Sequence, residues 1–176
     1  MKIRKSYLLL LIIIAIALLL AFYLYNKGAN SKITIRKFFD EKSALYENHE
    51  DILTALFSEA GNNFEGMGVS AEEIAESTDI FLENFKPLLS KRVYDGLVAS
   101  RYLIDSNLVS GKFDKSKIDI IRWEKISKDK TNAKYLVEYI EKLYSNEKII
   151  EEYTNIFEFK LEYIDGKWII TSIYPY

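Results

Sequence analysis

Residues Tyr7 to Tyr25, YLLLLIIIAIALLLAFYLY, form a run of 19 residues without a charge. Nothing else in the chain restricts its fold as much. At a rise of about 1.5 Å per residue, a helix of that length spans roughly 28 Å, close to a bilayer's hydrocarbon core. Tyr7 at one edge and Phe22, Tyr23 and Tyr25 at the other suit the interfacial belts of a spanning helix. The alternative is a buried core helix, but a uniformly apolar run of Leu and Ile of this length, with no polar face, is far more often membrane-spanning. A cleavable signal peptide has a shorter apolar core, about 7–15 residues, followed by a small-x-small site. Cleavage after Ala29 would place Lys27 at the third position back, where a small residue is needed. The run is therefore expected to remain as a transmembrane anchor over 7–25, behind a short basic tail at 1–6.

Lys2, Arg4 and Lys5 precede the run, and Lys27, Lys32, Arg36 and Lys37 follow it within about 15 residues, so the local charge bias is small. A short basic tail before a first apolar helix is the usual layout of a signal anchor, and the N-terminus is expected in the cytoplasm. The large C-terminal part is then extracytoplasmic at the cell membrane. All 26 acidic residues lie beyond Asn30, so residues 28–176 hold 20 basic against 26 acidic side chains, a net charge of −6. Bulk charge will not bring such a domain to anionic lipid or to nucleic acid. The chain has no Cys, which excludes disulfides and thiolate chemistry, and its one His excludes a multi-His metal site. Gly61, Gly66 and Gly68 follow no strand and match no phosphate-binding spacing, so no cofactor is expected.

Beyond a polar linker at 26–32, the pattern reads as helices first and strands last. Apolar residues step along 33–60 in threes, fours and sevens: Phe38/Phe39, Leu45/Tyr46, Ile52/Leu53 and Leu56/Phe57. Gly61-Asn62-Asn63 stops that helix, and 61–69 is a loop. Ser70 with Glu73 forms a capping box for a helix over 71–85. Pro87 forces a boundary, and Ser90 caps a helix over 91–104. From Ile118 the period becomes two. Strands are expected at 118–126, 133–144, 148–163 and 168–174, with Asp165-Gly166 as a two-residue hairpin turn. Strict alternation puts Ile118 and Ile120 opposite to Ile121 and Trp123. It likewise puts Trp168 and Ile170 opposite to Ile169, Thr171 and Ile173. The fold class is α+β: about three helices packed on a curved, four-stranded antiparallel sheet.

Three helices followed by such a sheet, closing on Asp165-Gly166-Lys167-Trp168-Ile169-Ile170, resembles the nuclear transport factor 2-like superfamily. The segment Phe85-Lys86-Pro87-Leu88-Leu89-Ser90 resembles the middle-helix region of its bacterial members. The resemblance runs from Ile33 to Tyr174. It implies a cone-shaped domain. With one N-terminal anchor, it also implies similarity to inner-membrane scaffold subunits of type IV secretion and conjugation systems.

No catalytic constellation is visible. His49 lies on the apolar stripe of the first soluble helix with Asp51 two residues on, a spacing that keeps the two apart. Glu151, Glu152, Glu158 and Glu162 share one strand and read as a solvated face. The residues that could line a pocket or partner surface are His49, Trp123, Tyr135, Tyr139, Phe157 and Trp168. The expected role is a membrane-anchored scaffold with protein partners or self-association. A tethered small-ligand binder or enzyme, and an immunity or stress protein acting by sequestration, are the alternatives.

Overall fold

The computed structural model describes residues 2–52, 54, 78–100, 102–104 and 106–176, and of these the side chains of 2–11 and 21–30 are not described. The expected helix end at 60, the loop at 61–69 and residues 71–77 of the helix expected at 71–85 lie outside the described residues; of the remainder, 78–81 are helical and Glu83–Phe85 form a 3-10 turn. The order of elements is α1 (Lys2–Glu47), a 3-10 turn (Glu83–Phe85), α2 (Lys91–Ser100), α3 (Ser106–Val109), β1 (Lys115–Lys128), β2 (Asn132–Ser145), β3 (Lys148–Ile164) and β4 (Lys167–Pro175). The strands pair antiparallel in the order β1-β2-β3-β4. The fold is α+β, with an open four-stranded meander.

The expected linker at 26–32 is helical, because α1 runs without interruption from Lys2 to Glu47. The segment holds one Gly and no Pro, and a single Gly costs a helix only about 1 kcal/mol. The sheet offsets that cost: the Ser31 and Tyr135 hydroxyls lie 3.0 Å apart, and Thr34 donates to the Trp168 carbonyl at 3.3 Å. Among the described residues no helix is long and apolar enough to cross a membrane. Of the apolar run, only 12–20 have described side chains, and all of these are exposed.

One face of α1 forms the floor of the core. Ile35, Phe38, Phe39, Leu45 and Tyr46 are buried, at helical spacing. They meet the inward register of β2, namely Ala133, Tyr135, Val137, Tyr139 and Leu143. Phe159 on β3 is fully buried and packs edge-to-face on Phe38 and Phe39, with ring centroids 5.8 and 5.5 Å apart. Ser90 caps α2 by accepting from the Val93 N–H at 3.4 Å. The segment around Pro87 covers the β4 edge. Ile170 N–H donates to the Leu88 carbonyl and Ser90 N–H to the Ile170 carbonyl, both at 2.9 Å. The helix expected at 91–104 ends at Ser100, and a separate short helix, α3, follows.

Two β-bulges overturn the expected facing of side chains. Ile120 pairs Tyr139 and Arg122 pairs Glu138, so Ile121 is an extra residue. It swings outward, half exposed, and Trp123 lands on the same inner face as Ile118 and Ile120. On β4, Ile170 pairs Leu161 and Ser172 pairs Lys160, so Thr171 is the extra residue. Ile173 therefore shares the inner face with Trp168 and Ile170. The Asp165-Gly166 turn has positive φ at both residues, +47° and +84°, as a tight hairpin requires.

Candidate ligand cavity

Position 42 on α1 lies between Phe39 and Leu45 on the buried face, and there the residue is lysine. Position 141 lies in the inward register of β2, between Tyr139 and Leu143, and there the residue is glutamate. The two elements bring these residues together. Lys42 Nζ donates to both carboxylate oxygens of Glu141, at 2.6 and 2.5 Å, with each side chain under a tenth exposed. Ser116 on β1 donates to the same carboxylate at 3.2 Å. A charge pair in an apolar face is costly to desolvate, and its partners must satisfy it.

The pair lines a cavity of about 460 Å³ between α1, α3 and the inner face of β2 and β3. Tyr139 and Phe157 form one wall, with ring centroids 5.6 Å apart. Tyr102 closes on Phe157 at 6.3 Å. Tyr153 stands at the rim, where its hydroxyl donates to Glu151. Glu151 also accepts from Lys112 at 2.8 Å. The Lys112 ammonium first, and then the Tyr153 hydroxyl, hold the Glu151 carboxyl below its ordinary range. Asn107 and Asn155 add amide groups to the lining.

Burial pushes the Tyr139 phenol well above its ordinary pKa, and the Glu141 charge and Tyr102 add to the effect. It stays protonated and is available as a donor. No hydrogen bond to the Tyr139 hydroxyl or to the Asn155 amide occurs among the described residues. The cavity thus offers aromatic walls, a neutral phenol, an amide and an internally compensated charge pair. That set suits the binding of a flat molecule with a polar edge.

Of the residues singled out from sequence, Tyr139 and Phe157 meet in this cavity. Trp123 and Tyr135 stack edge-to-face elsewhere on the sheet, with centroids 5.9 Å apart. Trp168 packs on Tyr163 at 5.4 Å. His49 follows the end of α1 by two residues, its Nδ1 2.9 Å from the Tyr46 carbonyl oxygen, and does not line the cavity. Lys42, Glu141, Tyr102 and Asn155 escaped the sequence reading. The signal for the first two was present: one charge of each sign at an otherwise apolar, inward position. Among the described residues no group of His, Asp and Glu could hold a metal ion.

A second cluster is structural. Tyr94 donates to Asp79 Oδ1 at 2.7 Å and Lys86 donates to Oδ2 at 2.9 Å, which pins 78–81 to α2. Lys86 and then Tyr94 hold the Asp79 carboxyl below its ordinary 3.8. Asp119 is lowered by Lys142 and Lys117, and Asp129 by the N–H groups of Thr131 and Asn132. Each carboxyl has a lower pKa folded than unfolded. Its contribution to stability is present above the unfolded value and is lost as pH falls through the folded one. Thermal unfolding followed by circular dichroism should therefore give a midpoint that falls between about pH 5 and pH 2. In Asp79→Asn/Asp119→Asn/Asp129→Asn that fall should be visibly shallower.

No family model matches the chain, and no curated protein is found to match it.

Proposed function

We propose that this chain is a single-pass membrane protein whose extracytoplasmic domain binds a small amphipathic ring compound in the Lys42–Glu141 cavity. The observation that carries the reading is the convergence of the Tyr139 phenol, the Asn155 amide and a buried ion pair between aromatic walls. The volume of about 460 Å³ falls in the usual range for small-molecule sites, about 300–1,000 Å³. The anchor is residues 7–25, with the N-terminus cytoplasmic. It is supported by the uncharged run and by Ile12, Ile14, Leu18 and Leu19, 47–67% exposed and pointing to several sides of one helix. A helix apolar all round needs an apolar surrounding. The order of helices and strands supports a nuclear transport factor 2-like domain, in which the cavity is the interior of the cone.

A scaffold role ranks second. The outer sheet face would be its docking surface, but cross-strand pairs such as Lys142–Asp119 at 3.0 Å and Lys134–Glu158 at 2.8 Å already satisfy one another there. The test is ligand-observed NMR on the full chain in detergent, using single-ring aromatics that carry hydroxyl or amino groups. The wild type should bind members of the set, and Asn155→Leu, which keeps the shape of the side chain and removes its amide, should lose at least about tenfold in affinity, the equivalent of one good hydrogen bond to a buried site. Binding unchanged by Asn155→Leu, or no binding at all, would contradict the proposal.

A further inference from the structure

The end of the domain nearest the anchor differs in charge from the rest. Along α1, Lys32 lies over the Trp123 ring at 4.9 Å and the Tyr135 ring at 5.9 Å, and Lys42 meets Glu141 farther on. α1 therefore runs in the same sense as β2, from Tyr135 toward Glu141. Followed back toward its apolar run, the helix passes the β1–β2 and β3–β4 turns. The β2–β3 turn lies at the opposite end. Because α1 is unbroken, Lys32 stands only seven helical residues, about 10 Å, beyond Tyr25.

The basic groups at this end are Lys32, Lys125, Lys128, Lys130 and Lys167, with Arg36 one turn farther along α1. The acids here are Asp129, Asp165 and Glu162, together with Glu124 and Glu158, which are paired with Arg122 and Lys134. Asp129 is engaged by the N–H groups of Thr131 and Asn132 in its own turn, both at 2.7 Å. Lys32, Lys125, Lys130 and Lys167 make no ion pair among the described residues; Lys115 and Lys148 at the opposite end make none either, but Asp114, Glu147, Glu151 and Glu152 stand beside them there. The end is thus net positive, on a domain whose net charge is −6. Both tryptophans of the chain are here too: Arg36 lies 5.6 Å from the Trp123 ring and Lys128 lies 5.8 Å from the Trp168 ring.

We propose that this lysine-bearing end is a lipid-facing surface that docks on anionic phospholipid headgroups and holds the domain down on the bilayer. The inference rests on the anchor proposed above. That anchor brings the lysines to within about a Debye length of the surface, where each contributes to attraction by anionic lipid. The rest of the acidic domain is repelled by the same surface, so the contact also sets which end faces the membrane.

The two tryptophans report on it directly. The full chain is placed in nanodiscs of phosphatidylcholine, with or without phosphatidylglycerol, containing a headgroup spin-labelled lipid. Tryptophan quenching should rise with phosphatidylglycerol and fall back as salt is added. The triple variant Lys125→Glu/Lys130→Glu/Lys167→Glu should lose the lipid-dependent part, while Lys115→Glu/Lys148→Glu, a charge reversal at the opposite end, should keep it. Quenching indifferent to lipid charge, or equal loss in both variants, would overturn the proposal. So would quenching that depends on the number of chains per disc, which would assign the surface to a second copy. Retention of the chain in membranes through alkaline extraction is measured alongside. Release would overturn the anchor and this inference together, whereas retention without lipid-dependent quenching overturns only the inference.

Discussion

Lys42→Met should lower the unfolding free energy by about 3–5 kcal/mol, measured by denaturant titration of the full chain in detergent micelles. The ammonium gives two short bonds to a carboxylate that also accepts from the Ser116 hydroxyl at 3.2 Å. Methionine keeps the length of the side chain, so packing changes little and most of the loss reflects a buried carboxylate without its cation. The double variant Lys42→Met/Glu141→Leu removes both charges and should recover most of that loss, because an apolar pair of similar volume avoids the desolvation cost. The same double variant should fail to bind the ring compounds. Stability regained while binding stays lost would separate what the pair does for the fold from what it does for the cavity.

Phe159→Ala should cost about 3–5 kcal/mol in the same titration. Its ring is fully buried and meets three others, those of Phe38, Phe39 and Phe157, each edge-to-face at 5.5–6.2 Å. Two of the three stand on α1, so alanine opens a void between the helix and the sheet. Phe159→Leu keeps most of the volume and should cost less than about 1.5 kcal/mol. Similar losses for the two variants would mean that this ring cluster is not what joins α1 to the strands.

The parts of the fold that follow from periodicity are readable in the sequence. The helix-then-strand order and the Asp165-Gly166 turn need only local information, since φ values of +47° and +84° are what an Asp-Gly pair accepts. The bulges at Ile121 and Thr171 are not readable. Each adds one residue to a strand without changing the apolar pattern, so alternation assigns Trp123 and Ile173 to the wrong face. The linker expected at 26–32 is helical because contacts from Ser31 and Thr34 to the sheet favour it, and such contacts are invisible in a local window. The cavity was half legible. Tyr139 and Phe157 stand out as inward aromatics. Lys42 and Glu141 lie 99 positions apart, and each alone is a polar interruption in an apolar stripe. Only the docking of α1 on β2 makes them a site.

The most direct test of the cavity as a binding site locates the ligand. The full chain, with its aromatic rings isotopically labelled, is titrated with a ring compound that binds it, and the ring resonances are followed by NMR. Tyr102, Tyr139, Tyr153 and Phe157 should shift together with a single dissociation constant, while Tyr174 and Tyr176, at the exposed end of the chain, stay still. Shifts confined to Tyr174 and Tyr176, with the four cavity rings unmoved, would contradict the account.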